Sequence, residues 1–209
     1  SVMKVAVVRN RDNQGVLARF GPPCREVYGR HTVQTVVDAL RRGGHAVKVL
    51  EGDTTLLSEL QAFMPADEVS GGPTGLVFNL SYGIQGEGRY LHVPGMLEMA
   101  GVPYTGSTPR AHGVCLDKIT TKLAVAWAGV LTPRFCSMKR PEDFDDTLCY
   151  PLVVKPRHES TSLGLALVHN RSELHSAVES IVRDYRQDAV VEEYIDGREV
   201  AIGLLGNDP

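Results

Sequence analysis

Pro151-Leu152-Val153-Val154-Lys155-Pro156, followed by Ser160-Thr161-Ser162-Leu163-Gly164, puts a cation at the end of an apolar run and a loop of small residues just after it. The β-branched run has the texture of a buried strand. An ammonium there is costly unless an anion or a paired acid waits for it. Small residues let backbone N–H groups approach phosphate oxygens closely. A second lysine, Lys118, opens the helical stretch Leu116-Asp117-Lys118-Ile119-Thr120-Thr121-Lys122. Together the two lysines and the loop point to a nucleoside triphosphate site. The plainer alternative is a pair of solvated lysines beside an ordinary turn, and neither lysine alone decides between them.

The chain around this stretch alternates short strands with one clear helix. Strands are expected at Arg134–Met138, Leu152–Lys155, Leu165–Val168, Ala189–Tyr194 and Glu199–Leu205. The helix has Asn170 as N-cap and Glu173 three residues on, with Leu174, Ala177, Val178, Ile181 and Val182 along its apolar face. Upstream the texture differs. Strands at Met3–Val8, His45–Leu50 and Gly75–Leu80 enclose a helix carrying Val33, Val36, Val37 and Leu40, stopped by Gly43-Gly44, and one carrying Leu56, Leu60, Phe63 and Met64, stopped by Pro65. That order describes a small parallel sheet with crossover helices. Ligands in such sheets gather at the carboxyl ends of the strands, here the loops after Val8 and Leu80. Pro94 is expected to begin a helix through Ala100, residues 101–107 to form strand and turn, and 109–128 to be helical. The expected fold class is α/β: a small parallel-sheet N-terminal domain at residues 1–108, then an α+β unit at 109–209.

Composition narrows the function classes. The 209 residues can bury a sizeable core, and the formal charge of −3, with both signs interspersed, argues against nucleic acid or a membrane surface as partner. The longest apolar stretch, Leu123–Leu131, is too short to span a bilayer. Nothing resembles a secretory leader, and Ser1-Val2 ahead of Met3 looks like a cloning remnant. Four cysteines form no Cys-x-x-Cys pair, and the α/β pattern fits a reducing cytoplasm. His158-Glu159 begins like a zinc motif, but Ser162 stands where its second histidine belongs, so no metal site is expected. Gly83, Gly86 and Gly88 have the wrong spacing for a dinucleotide fingerprint.

Four motifs carry a family resemblance. Val77-Phe78-Asn79-Leu80-Ser81-Tyr82-Gly83 with Gly86-Glu87-Gly88, Pro94-Gly95-Met96-Leu97-Glu98 with Pro103-Tyr104-Thr105-Gly106-Ser107, Val154-Lys155-Pro156 with Glu159 to Gly164, and Glu192-Glu193-Tyr194-Ile195-Asp196-Gly197-Arg198-Glu199-Val200 appear in order. In that succession, with Asp117-Lys118 and Lys122 between them, the chain resembles the D-alanine–D-alanine ligase family of ATP-grasp enzymes. The resemblance implies that Lys118 and Lys155 contact ATP phosphates, offsetting charge and holding the γ-phosphoryl in line. It implies that Val153 walls the adenine slot, that Glu192, Glu193 and Tyr194 lie on the hinge strand beside adenine with Ile195 beneath the base, and that Glu199 receives the ribose. Ser160, Thr161 and Ser162 fall on the flap over the phosphates, with Thr161 also touching the substrate region. The implied reaction is phosphoryl transfer from ATP to a carboxylate, then attack by an amine on the acyl phosphate, with Mg²⁺ bridging the phosphates. The partners implied are small amino-acid or peptide substrates. Family members are often homodimers, though no stripe here marks an interface.

The sequence also departs from the family. Cys24 stands where a glutamate receives the first amino acid's ammonium group, and a thiol is a poor counter-ion; Glu26 survives two residues on. Tyr82-Gly83 replaces His-Gly, Glu87 matches a family acid, and Ser160 replaces a flap glycine. Family chains continue past the point reached at residue 209, and that part supplies the Mg²⁺ ligands. Residues 1–209 alone are therefore expected to bind adenine nucleotide weakly and not to turn over. The competing function is a non-catalytic ATP-grasp-like module that binds a nucleotide or a partner.

Overall fold

The computed structural model describes residues 2–11, 15–144 and 146–207. Strands β1 (Lys4–Arg9), β2 (Ala46–Glu51) and β3 (Gly75–Leu80) form a parallel sheet in the order β2-β1-β3. β1 is central, so Val5 to Val8 are all buried, as its unbroken apolar run requires. Helix α1 (Arg30–Arg42) packs Val33 and Val37 on Val7 at one face. Helices α2 (Leu56–Phe63) and α3 (His92–Ala100) bury Leu56, Leu60, Val93 and Leu97 on Ala6, Val8 and Val77 at the other. Each such buried aliphatic side chain contributes about 2 kcal/mol. This three-layer unit holds the carboxyl ends of all three strands at one edge. There the buried side chain of Asn10 donates to the carbonyl of Gly52 at 2.9 Å and accepts from the N–H of Gly83 at 3.0 Å. The loops after β1 and β3 are thus stitched together, as the topology leads one to expect, and the N–H of Cys24 donates to the carbonyl of Ile84 at 2.7 Å.

A second, antiparallel sheet follows, in the order β4 (Phe135–Met138), β7 (Ala189–Glu193), β5 (Leu152–Pro156), β6 (Ala166–Val168). Helix α6 (Arg171–Tyr185) covers one face, with Leu174, Val178 and Ile181 against Met138, Leu152, Val154 and Val191. Its start is capped as the sequence suggests: the N–H of Glu173 donates to Asn170 Oδ1 at 3.0 Å, and the Glu173 carboxylate accepts from the N–H of His169 at 2.8 Å. Register puts Phe135, Glu192, Val153 and Leu167 in one row on the opposite face. That face is open toward its β6 edge, where Leu167 is 43% exposed.

Four expectations need correction. The region 109–128 is two helices, α4 (Pro109–Leu116) and α5 (Lys118–Trp127), because Asp117 leaves the helical backbone region and its carboxylate accepts from the N–H groups of Ile119 and Thr120. Helix α3 starts at His92, two residues before Pro94, which sits harmlessly in the first turn, where N–H groups have no partner within the helix. Residues 101–107 give only a single bridge, Tyr104 to Val77. The segment Glu199–Leu205 is not a strand. Its alternating apolar residues are bare, with Val200 78% and Leu204 91% exposed. A strand needs a neighbour for its backbone groups, and among the described residues none pairs with it. Leu123–Leu131 is likewise exposed in large part, and no described helix is long and apolar enough to cross a membrane.

Candidate functional site

Lys118 is the first residue of α5, and its position is set by Asp117. The Asp117 carboxylate caps the helix and takes a two-pronged hydrogen bond from Arg157, Nε at 2.8 Å and Nη2 at 2.7 Å, which holds its pKa far below the usual carboxylate range. Arg157 follows β5 directly. This clasp brings the start of α5 against the end of β5, and Lys118 Nζ donates to the backbone carbonyl of Glu159. Lys118 and Lys155 therefore line one cleft of about 180 Å³, together with Ser160, Ser162 and Leu163. Burial, and then the neighbouring Lys155 charge, pull the Lys118 ammonium down to about 8. Two cations lining one cleft, one of them disfavoured in its charged form, make an anion there electrostatically favourable.

The loop above the cleft is strained. Thr161 and Ser162 have φ of 53° and 60°, in the left-handed region, which is rare for a β-branched residue. Such backbone costs on the order of 1–3 kcal/mol and persists only where surrounding contacts impose it. Those contacts are visible. Ser160 donates through its N–H to Glu26 Oε1 at 2.8 Å, and its hydroxyl reaches the same carboxylate. Gly164, at φ 71°, has no room for a side chain, since a Cβ would lie 2.7 Å from Pro156 Cγ.

Below the cleft, Glu192 is buried on β7. Its carboxylate meets Lys155 through one oxygen and Lys122 at 2.7 Å through the other. Burial alone would raise this carboxyl; the hydrogen bonds from Lys122 and Lys155 outweigh it and hold the group below the usual range. Lys122 is saturated, donating also to Thr132 Oγ1 at 2.8 Å and the Pro133 carbonyl at 3.2 Å, and sits 4.9 Å from the centre of the Phe135 ring. Lys155 keeps 21% of its side chain exposed.

A second charge cluster lies where the two sheets' loops meet. Arg89, 1% exposed, bridges Glu26 at 3.1 Å and Glu159 at 3.2 Å and donates to the carbonyl of His158. Tyr90 donates its hydroxyl to Glu26 at 2.6 Å and lies 2.7 Å from the Ser160 hydroxyl. Gln187 donates to the other Glu159 oxygen at 2.6 Å and accepts from the N–H of His158. Cys24 and Tyr82 lie beside this cluster, the thiol pointing to the Tyr82 carbonyl at 3.7 Å and the Tyr82 ring stacked on Tyr28 at 4.8 Å. Burial pushes the Cys24 thiol up, and Arg89 offsets that only in part.

The sequence-derived residues thus divide. Lys118, Lys155, Ser160 and Ser162 share the cleft, Thr161 lies exposed on its loop, and Val153 and Glu192 share the adjoining sheet face. Cys24, Glu26 and Tyr82 gather at the first sheet's edge. Glu87 is exposed, with its charge felt by Arg157 and His158. Glu193 turns away to the N–H of Cys149 and to Arg134, each at 3.5 Å. Tyr194, Ile195 and Glu199 lie in the exposed segment after β7 and are not drawn to the cleft. Sequence reasoning missed the roles of Arg89, Tyr90, Lys122, Glu159 and Gln187. Lys122, one helical turn after Lys118, was legible as a same-face partner; a buried arginine in a glycine-rich loop carries no local signal. No group of three or more His, Cys, Asp or Glu side chains able to hold a metal ion exists among the described residues.

Residues 122–209 match the family model described as the D-ala D-ala ligase C-terminus. An uncharacterized protein of Sinorhizobium fredii, y4sG, is 51% identical over 98% of this chain and 62% of its own length. The D-alanine–D-alanine ligase of Syntrophotalea carbinolica is 35% identical over 88% of this chain and 57% of its own. A solved D-alanine–D-alanine ligase from Bacillus anthracis complexed with ATP shares the fold, with a TM-score of 0.68 at 22% identity, over 94% of this chain and 60% of that one. The chain therefore shares the fold of D-alanine–D-alanine ligases, is similar in sequence to members of that family, and spans about three fifths of the length of these relatives.

Proposed function

We propose that this chain carries the carboxylate-side domain and one wall of the nucleotide cleft of an ADP-forming, ATP-dependent carboxylate–amine ligase. Residues 1–108 are read as the substrate domain and 109–209 as the nucleotide-binding unit. The supporting observation is the convergence of two ammonium groups, Lys118 and Lys155, on one cleft beneath the strained Ser160–Ser162 loop. Lys118 and Lys155 neutralise the phosphates, and the loop's N–H and hydroxyl groups contact them. The open sheet face with Val153 and Leu167 offers an apolar surface for the base. In the reaction a carboxylate oxygen attacks the γ-phosphorus and the bond to the departing ADP oxygen breaks. An amine nitrogen then attacks the acyl carbon, phosphate leaves, and the nitrogen gives a proton to solvent. The chain's part is charge neutralisation, positioning and exclusion of water. Mg²⁺ belongs to this family reaction, but the described residues offer it no ligand set.

The reading is tested by titrating the chain with ATP in a calorimeter. Saturable binding at submillimolar nucleotide is expected, and absence of binding at millimolar concentrations would sink it. Cys24 favours one second reading, a non-catalytic nucleotide-binding module, because a buried thiol supplies neither charge nor a counter-ion. Phosphate release from ATP by the full-length protein, stimulated by a carboxylic acid, decides for the ligase. Binding without stimulated release decides for the module.

A further inference from the structure

A second cavity, of about 340 Å³, adjoins the two-lysine cleft. Lys118, Glu159 and Ser160 line both, so a group resting on that shared wall lies beside whatever the lysines hold. The rest of this cavity is formed by Tyr90, His112, Cys115 and Leu116. Tyr90 and His112 meet edge to face, with ring centres 6.1 Å apart. The surface lining the cavity is mostly apolar and aromatic, with Lys118, Glu159 and Ser160 placing polar groups on the wall shared with the cleft. The His112 imidazole takes no hydrogen-bond partner among the described residues, and burial lowers its pKa, keeping the ring neutral near pH 7. Glu159 is the one carboxylate in the lining, and it is already engaged: its two oxygens accept from Gln187 at 2.6 Å and Arg89 at 3.2 Å, and its side chain is 2% exposed. Glu26, behind Tyr90, is spent on Arg89, Tyr90 and Ser160.

The geometry points to this cavity as the seat of the acid to be activated, and to that acid as one with an apolar, preferably aromatic, body and no ammonium group beside its carboxyl. The carboxylate lies against Lys118 on the shared wall, and the body stacks along Tyr90 and Leu116. An α-ammonium would shed its water with no unengaged anion among the described lining residues to receive it, whereas a carboxylate meets a cation. The inference rests on the nucleotide reading above and deepens it.

The test is calorimetric titration of the chain, saturated with ATP, with 3-phenylpropanoate, both hands of phenylalanine, and D-alanine. We expect 3-phenylpropanoate to bind at least about tenfold more tightly than either phenylalanine or D-alanine. Cys115→Trp, at an exposed position on the cavity wall, is expected to abolish that preference while leaving ATP affinity unchanged. Equal or tighter binding of an amino acid, or indifference of 3-phenylpropanoate to Cys115→Trp, overturns the inference. Binding of ATP with no binding of any acid overturns it too, leaving the nucleotide reading intact. Failure of ATP itself to bind overturns the reading beneath it.

Discussion

Two buried charge clusters flank the cleft, and their surpluses are opposite. On the sheet face, one carboxylate, Glu192, is shared by two lysines, Lys122 and Lys155, and one positive charge is left over. Where the loops meet, one guanidinium, Arg89, is shared by two carboxylates, Glu26 and Glu159, and one negative charge is left over. The positive cluster reaches solvent through Lys155, at 21% exposure, whereas the side chains of the negative cluster are 1–2% exposed. A surplus that faces solvent is available to a ligand. A sealed one must be met by the protein's own dipoles, and here the Ser160 N–H, the Tyr90 hydroxyl and the Gln187 amide meet it. On the proposed reading, the first cluster binds the nucleotide and the second holds the loop over the cleft.

That contrast can be broken most forcefully at Arg89. Arg89→Met strands two carboxylates in a dry interior and is expected to cost about 4 kcal/mol in chemical denaturation. A loss under about 1 kcal/mol would show that the cluster is not sealed. Lys155→Ala should leave the fold intact, because Lys122 still pairs with Glu192. It should weaken ATP about thirtyfold, near 2 kcal/mol for one charge-assisted contact. Unchanged affinity would refute the placement of that lysine at the phosphates. The third effect is on pH. Lys118 titrates at about 8 in the free protein, so it passes from mostly charged to mostly neutral between about pH 7 and pH 9. ATP affinity should fall about tenfold over that interval, and proton uptake on binding should be measurable near pH 8. The same shift runs the other way for stability. A lysine whose folded pKa is depressed makes the ligand-free fold more stable as pH rises from about 8 toward its unfolded value, since only the unfolded state still binds the proton. The smallest change is Tyr90→Phe, which removes one hydrogen bond from Glu26 and should cost about 1 kcal/mol. It is expected to weaken ATP binding by about threefold in calorimetric titration, by loosening the loop at Ser160; an effect confined to stability would separate that hydroxyl from the loop.

The legible parts of this chain were those with local causes. The apolar period of α6, its Asn170 cap, the β-branched runs of β1, β5 and β7 and the stop at Gly43-Gly44 depend on neighbours a few residues away. Lys155 and its loop were legible because a charge after an apolar run needs a long-range reason. The break at Asp117 was missed because its second partner, Arg157, lies 40 residues on. The exposed segment 199–205 was misread because alternation describes what a strand looks like and not whether a neighbour exists to pair with it.

Composition and pattern by themselves determined a small parallel-sheet unit followed by an α+β one, and marked two lysines as cations in need of a partner. Only the folded arrangement decided that Lys118 and Lys155 face one cleft, that Glu192 pairs with Lys155 and Lys122 beneath it, and that Arg89 closes the seam at Glu26 and Glu159. The reason is range. Backbone preference and apolar periodicity act within a few residues, while the pairing of buried charges depends on which segments, dozens of residues apart, the core brings within about 3 Å of each other.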